Sequence, residues 1–258
     1  MLTTPEMLLI VCPLVFFASF VDAIAGGGGL IALPAYLLTG MPAHMAYGCN
    51  KFSGCLGTFF SAARFLKSGH LHLKIAFFSA ALALVGSSCG AKLTLVLTDH
   101  ALRLSMLILL PITAVIVLFN KNGFNDESTF EQLSRRRALV LAGLIGFFIG
   151  MYDGFFGPGT GTFMILAYSL FMGFDFKTAC GNTKIVNLAS NLAALTVFIS
   201  AGQVLYAVAI PAALCSIAGN WVGSGLAIQK GAKFIKLVLI GVLVLLFAKI
   251  IYDTFLHI

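Results

Sequence analysis

Two lysines stand inside long apolar segments, where a charged side chain is costly. Lys51 lies in "AYGCNKFSG" (46–54) and Lys184 in "ACGNTKIVN" (179–187), each about seven residues, or roughly 10 Å of helix, into its segment. A lysine at this depth costs about 3 kcal/mol on insertion scales and usually has a function. We interpret both as positive charges that bind an anion, because they occupy matching positions. The alternative is that their ammonium groups snorkel to the near headgroups.

Side chains that form neutral hydrogen bonds lie close to both lysines. Amide and hydroxyl groups of this kind bind oxyanions without adding charge. The predicted substrate site therefore includes Asn50, Asn182 and Thr183. Two further asparagines nearby are Asn187 and Asn191.

A run of glycines interrupts the apolar sequence twice. The first stretch is "VDAIAGGGGLIALPAYLLTG" (21–40), and the second is "YDGFFGPGTGTFMILAYSLFMG" (152–173). Unpaired backbone at membrane depth is tolerated only inside protein or against a water-filled cavity, and free N–H groups at a helix N-terminus favour anions. We predict that the helix starts near Gly28 and Gly159 bind substrate. Close packing of helices on small residues is the alternative.

An aspartate precedes each glycine run, Asp22 in the first and Asp153 in the second. Three roles suit these carboxylates. They carry a coupling proton, they pair with the lysines, or they cap the broken helix, as aspartate often does. The sequence leaves all three roles open.

The chain that carries these residues is very apolar. Of its 258 residues, 60% are hydrophobic and 10% are charged, and the mean hydropathy is +1.02. A soluble domain has roughly 25% charged residues. The chain therefore belongs in a bilayer, and its continuous apolar runs predict an all-α, polytopic membrane protein. The six cysteines include no CxxC pair, and we expect no disulfide, metal or cofactor.

The sequence is duplicated. Asp22 matches Asp153 at an offset of 131 residues, and Lys51 matches Lys184 at an offset of 133. Broken segments at corresponding places of two halves are the best sequence indication of a transporter's binding site. The predicted organisation is an N-terminal repeat (1–119), a cytoplasmic linker loop (120–137) and a C-terminal repeat (138–258), within one integral membrane domain.

Each half contains five apolar segments, ten in all, and the second of each five is short. A full span needs about 20 residues, whereas about 12 helical residues reach only about 18 Å. The short segments (28–39 and 159–172) therefore cross with help from tilt and irregular ends, or they are re-entrant. If all ten cross, most lysines and arginines fall on one side, both termini are periplasmic, and the halves are inverted because five is odd. The other segments are 6–24, 43–65, 74–97, 102–119, 138–152, 178–199, 206–228 and 234–252.

The duplicated motifs resemble those of a known family. "DAIAGGGGLIALP" and "DGFFGPGTGTFMI", each followed by A-x-G-x-x-K, are similar to the TauE/SafE family of sulfite exporters over nearly the whole chain. The resemblance implies a bacterial inner-membrane transporter of sulfur-containing organic or inorganic anions. The second half departs from the first in having Pro158 and Thr160 where the first has Gly27 and Gly29. Since substrates vary across the family, the resemblance does not single out sulfite.

These observations predict secondary transport, most of all export, of small anions such as sulfite, thiosulfate or sulfonates by alternating access between the repeats. The expected partners are the anion, a coupling proton or ion, the lipid bilayer and further copies of the chain, but no nucleic acid. No motif of a zinc hydrolase, an intramembrane protease or an ATPase is present, so we do not expect an enzyme. A membrane receptor or assembly factor is the alternative, and it needs neither symmetric lysines nor paired helix breaks.

Overall fold

The structure, a computed structural model, is helical, as the apolar runs predict. It describes residues 2–105, 108, 109, 112 and 128–230. No strand occurs within these ranges, which confirms the all-α class. The helices are α1 (Thr4–Ala25), α2 (Gly29–Leu37), α3 (Ala43–Ser68), α4 (Leu73–Val96), α5 (Arg135–Phe155, with a π-helical turn at Ile145–Ile149), α6 (Thr160–Met172), α7 (Phe176–Ser200) and α8 (Tyr206–Lys230).

Five helices of the described part are long and apolar enough to cross a membrane, namely α1, α4, α5, α7 and α8. The chain is thus a membrane protein, but the predicted ten spans are not shown. The short segments form α2 and α6, of 9 and 13 residues. Helix α3 has 26 residues but is not among these five apolar helices, because Asn50, Lys51 and several small polar residues lower its mean hydropathy. The predicted segment 234–252 and most of 102–119 lie outside the described residues.

Matched glycines bring pairs of helices into close contact. Gly86 and Gly90 on α4 lie against the backbone of α5, and Gly219 and Gly223 on α8 lie against the backbone of α1. A Cβ on any of the four would overlap the neighbouring main chain. Small residues let membrane helices approach in this way. The fourth helix of each half therefore packs on the first helix of the other half.

The short helices fold back along their long neighbours. The backbone N–H of Leu2 donates to the carbonyl of Thr39 at 3.1 Å, so the end of α2 lies beside the start of α1. In the second half, the N–H of Thr129 donates to the carbonyl of Gly173 at 2.8 Å, which joins the end of α6 to the residues before α5. Each half thus begins with a helical hairpin whose tip is the glycine-rich break.

The loops connect the two halves at opposite ends. Near the start of α3, the Sγ atom of Cys49 accepts a hydrogen bond from the N–H of Leu205 at 3.3 Å, just before α8. Near the start of α7, the Oδ1 atom of Asn182 accepts one from the N–H of His72 at 3.1 Å, just before α4. Because α3 ends at that same turn, α3 and α7 run in opposite directions. Their two lysines therefore enter from opposite ends.

Candidate functional site

A polar cavity of about 60 Å³ lies between the two glycine-rich breaks. A void of about 10–15 Å³ suffices for one water molecule, so this cavity has room for several waters or one small anion. Residues of both halves form its wall: Val15, Ala18, Ser19, Asp22, Gly26, Gly28, Gly29, Ala32, Asn50, Lys51, Ser53, Gly54, Thr58, Asp153, Gly157, Thr160, Gly161, Asn187, Asn191 and Asn220.

Two ion pairs link the halves at this cavity, one of them fully and the other partly buried. The Nζ atom of Lys51 lies 2.8 Å from Oδ2 of Asp153, and the Nζ atom of Lys184 lies 2.9 Å from Oδ2 of Asp22. Each lysine of one half is therefore paired with the aspartate of the other half. Of the three roles open to the aspartates, pairing with the lysines is present at both. The four charges sum to zero.

Asp22 also holds the first helix break in place. Its Oδ1 atom accepts a hydrogen bond from the N–H of Gly28 at 3.3 Å, next to the start of α2. Lys184 donates in addition to the main-chain carbonyl of Asp22. The first aspartate thus combines two of its predicted roles, because it pairs with a lysine and supports the start of a broken helix.

Asp153 on α5 and Lys51 on α3 are both hydrogen-bonded to polar side chains of α7. Ser190 donates its hydroxyl proton to Oδ2 of Asp153 at 2.5 Å. Lys51 donates to Oδ1 of Asn191 at 3.1 Å, and the amide nitrogen of Asn191 donates to Oδ1 of Asn187 at 3.2 Å. A buried charge is stable only when it is paired and hydrogen-bonded, and this network meets that requirement for Lys51.

The two predicted glycines are constrained in different ways. Gly28 has helical dihedral angles, but a Cβ there would lie 2.5 Å from Cβ of Asp22 and would also overlap the carbonyl of Ala18. Gly159 precedes α6 with a φ of +81°, a left-handed conformation that side chains other than glycine rarely adopt. The first position therefore requires close approach, and the second requires an unusual backbone shape.

The tips of the two hairpins cross at Gly26 and Gly161. A Cβ on Gly161 would lie 2.5 Å from Cα of Gly26, and a Cβ on Gly26 would overlap the backbone of Gly161 and Thr162. Gly26 also has a φ of +74°. The backbones of the two breaks are thus in direct contact, which brings both aspartates to one cavity.

Free donors occur at the start of α6. Within the described residues, the backbone N–H groups of Gly161 and Thr162 have no hydrogen-bond acceptor. Gly161 lines the cavity, and N–H groups at a helix start favour a negative charge. In the first break, the N–H of Gly28 is used by Asp22, but the N–H of Gly29, which also lines the cavity, has no acceptor within the same ranges. Both breaks therefore leave a backbone donor at the cavity.

The predicted site residues are only partly brought together. Lys51, Asn50, Gly28, Asp22 and Asp153 line the cavity, and Lys184 lies beside it through its ion pair. Three predicted residues are not part of its wall: Gly159, Asn182 and Thr183.

Asn182 and Thr183 are buried away from the cavity. The Oδ1 atom of Asn182 accepts the His72 amide at the start of α4, which is the same place that Cys49 occupies against Leu205 in the other half. The hydroxyl of Thr183 has no partner within the described residues. The geometry thus gives Asn182 a structural contact and gives Thr183 no contact with the cavity.

The polar residues that sequence reasoning missed include Ser190, which donates to Asp153, and Asn220, which lines the cavity. Ser190 lies six residues after Lys184 on α7, close to the face that carries Asn187 and Asn191. Asn220 is a single amide in the apolar helix α8, and a buried polar residue at membrane depth is itself an indication of function. Both signals were present in the sequence.

Comparisons with known proteins agree on a membrane transporter. The model of a family described as "Sulfite exporter TauE/SafE" matches residues 11–250. A "Probable membrane transporter protein" of Haemophilus influenzae is 36% identical over 248 residues, which is 96% of each chain. A similar protein of Sinorhizobium sp, ORF9, is 36% identical over 92% of this chain and 90% of its own, and YfcA of Escherichia coli K12 is 32% identical over 98% and 93%. No solved structure matches significantly.

Proposed function

The chain belongs to the sulfite exporter TauE/SafE family, whose relatives here are named as membrane transporters, and on that premise we propose that it is a secondary transporter of small anions. The proposed substrates are sulfur-containing anions such as sulfite, thiosulfate or sulfonates, and the proposed direction is export across a bacterial inner membrane. The names of the relatives imply transport rather than catalysis.

The two ion pairs, each between a lysine of one half and an aspartate of the other half, are the observation that carries this proposal. Lys51 and Asp153, and likewise Lys184 and Asp22, are buried beside one polar cavity. Four charges at membrane depth are expensive and mark a substrate or ion pathway. A purely structural role explains them poorly, because well-packed apolar residues are often as stabilising as a buried ion pair.

The anion binds at Lys51, between α3 and the start of α6. Lys51 already donates to Asn191, and Gly161, whose N–H has no acceptor among the described residues, lines the same cavity. An ammonium group, an amide and a helix start together supply charge and donors for an oxyanion. Asn50 and Gly28 also line the cavity.

A coupling proton follows from the balance of charges. An anion that binds to Lys51 adds one negative charge to a site whose four charges sum to zero. An uncompensated buried charge costs several kcal/mol, and a proton on an aspartate removes that cost. Uptake of a proton together with the anion keeps the site neutral in both states.

Alternating access uses two inverted repeats. The bond between Leu2 and Thr39 and the bond between Thr129 and Gly173 return each short helix to the end where its long partner began. Because each short helix returns to the end where its hairpin began, the fold favours ten crossings over a scheme in which only the short segments turn back. The opposite directions of α3 and α7 support the inversion, and the cavity between the two hairpin tips is the pivot.

The orientation in the membrane can be tested with reporter fusions. Lysines and arginines cluster at one end of the helix bundle, the end at which Gly173 lies. By the positive-inside rule, this end is cytoplasmic. The residues concerned are Arg64, Lys67, Lys74, Arg135, Arg136, Arg137, Lys177 and Lys230. We expect a reporter fused after Gly173 to be active as a cytoplasmic fusion and one after Gln203 to be active as a periplasmic fusion. The reverse pattern would contradict the proposed topology.

Flux in proteoliposomes tests the function directly. The purified protein is screened for uptake and counterflow of sulfite, thiosulfate, methanesulfonate and acetate, with empty liposomes as the control. We expect saturable flux of at least one sulfur-containing anion. Failure of every anion to bind or move would favour the alternative, a membrane receptor or assembly factor.

A further inference from the structure

The two ion pairs at the cavity are not equivalent. The side chain of Asp22 is 16% exposed, whereas that of Asp153 is 4% exposed. Both aspartates line the cavity, and Asp22 is the carboxylate that is more accessible to water or a proton. Both aspartates accept one neutral donor, but Asp22 accepts a backbone N–H at 3.3 Å and Asp153 accepts the Ser190 hydroxyl at 2.5 Å.

The difference has its origin in the sequence. Ser190 matches Gly57 at the offset of 133 residues, so the hydroxyl that holds Asp153 has no counterpart near Asp22. A Cβ at Gly57 would overlap the Ser216 hydroxyl and the Asn220 amide of α8, so a serine there would require both of these side chains to move. The first half therefore leaves its aspartate less firmly held.

The two lysines also differ in the hydrogen-bond acceptor that each keeps when its partner aspartate is protonated. Lys184 donates to the main-chain carbonyl of Asp22 as well as to its carboxylate. The ammonium of Lys184 keeps that carbonyl acceptor when the carboxylate is protonated. Lys51 has Asn191 as its second partner, and this amide lines the cavity, where an incoming anion competes for the same ammonium.

We propose that the two ion pairs have separate tasks, with Lys51 binding the anion and Asp22 carrying the coupling proton. The inference rests on the proposed transport of anions. Each bound monoanion is accompanied by one proton on a carboxylate oxygen of Asp22, and the proton leaves when the anion leaves. The charged groups at this cavity, within the described residues, are Lys51 on α3, Asp153 on α5 and Lys184 on α7. The proton is placed on Asp22 and not on Asp153, because Asp153 is the less exposed carboxylate and its Oδ2 atom already accepts the Ser190 hydroxyl.

The pH dependence of anion binding tests this division. Methanesulfonate is the probe, because its own charge does not change near neutral pH. In the wild-type protein its affinity should fall as pH rises, by up to about tenfold per pH unit where Asp22 is ionised in the empty site. Asp22→Asn should bind methanesulfonate with an affinity that no longer depends on pH and should lose accumulation driven by a proton gradient.

Asp153→Asn is the matched control, since it removes the other carboxylate from the same cavity. Its affinity for methanesulfonate should still depend on pH, whatever its absolute value. A flat profile in Asp153→Asn, or a dependence on pH that persists in Asp22→Asn, would overturn the assignment. A second measurement needs no variant: the wild-type protein in weak buffer should take up one proton per methanesulfonate bound.

The outcomes separate this inference from the function on which it rests. If the wild-type protein binds methanesulfonate or thiosulfate equally at all pH values and takes up no proton, Asp22 is not a proton carrier and anion transport stands. If neither anion binds at any pH, the proposed function itself fails.

Discussion

Replacing Lys51 by methionine should reduce anion transport at least tenfold while the protein still inserts into the membrane. Methionine keeps much of the apolar stem but removes the charge that the anion needs. A hydrogen bond to a charged group contributes about 1.5–3 kcal/mol, which is about 10–100-fold in affinity. The measurement is anion flux into proteoliposomes at matched protein density, with Lys51→Arg as a second variant. Arginine should restore transport only in part, because a planar fork does not replace a compact ammonium.

Loss of stability must be separated from loss of binding in this experiment. Lys51→Met leaves Asp153 as an unpaired buried charge, and breaking a buried pair costs about 3–5 kcal/mol. The double variant Lys51→Met with Asp153→Asn removes both charges and should recover the thermal midpoint but not the transport. Normal flux in the single and double variants would reject Lys51 as the anion-binding residue and would favour snorkelling.

The crossing of the two hairpin tips gives the second large effect. Gly26→Ala should destabilise the protein by several kcal/mol, because the new methyl group overlaps the backbone of Gly161 and the left-handed φ of +74° is unfavourable for alanine. Gly161→Ala should be nearly as severe, since its Cβ would lie 2.5 Å from Cα of Gly26. Thermal midpoints in detergent and flux in liposomes measure the two effects.

The neighbouring Gly27 is the matched control. Its φ is not in the left-handed region, and the nearest atom to a Cβ there is Oγ1 of Thr162 at 3.8 Å. Gly27→Ala should therefore leave stability and flux close to those of the wild-type protein. Equal behaviour of Gly26→Ala and Gly27→Ala would show that the tips do not need to be in contact.

The duplication carried most of what the sequence could predict. It identified both lysines, both aspartates and both helix breaks, because each occurs twice at nearly the same offset. It could not predict which aspartate meets which lysine. An offset relates equivalent positions within the two halves, whereas contact depends on how the halves pack. The crossed pairs are visible only in the structure, in which the two hairpin tips also meet at Gly26 and Gly161.

The prediction of Asn182 and Thr183 rested on distance along the chain and not on the helical period. Residues three or four apart, or seven apart, share a face of a helix. Counted from Lys184 on α7, Asn187 and Asn191 meet that condition and line the cavity, whereas the two preceding residues are not part of its wall. Helical spacing therefore indicates better than distance along the chain which residues of α7 line this cavity.

The exchange of aspartates between the halves has a consequence for the origin of the chain. One half by itself contains a lysine and an aspartate that do not pair with each other, since each partner lies in the other half. A half-length chain therefore pairs these two charges only as a homodimer, in which two copies exchange their carboxylates. Gene fusion of such a dimer frees the copies to diverge, and a glycine at position 57 with a serine at the equivalent position 190 is a difference that an obligatory homodimer of identical copies cannot have.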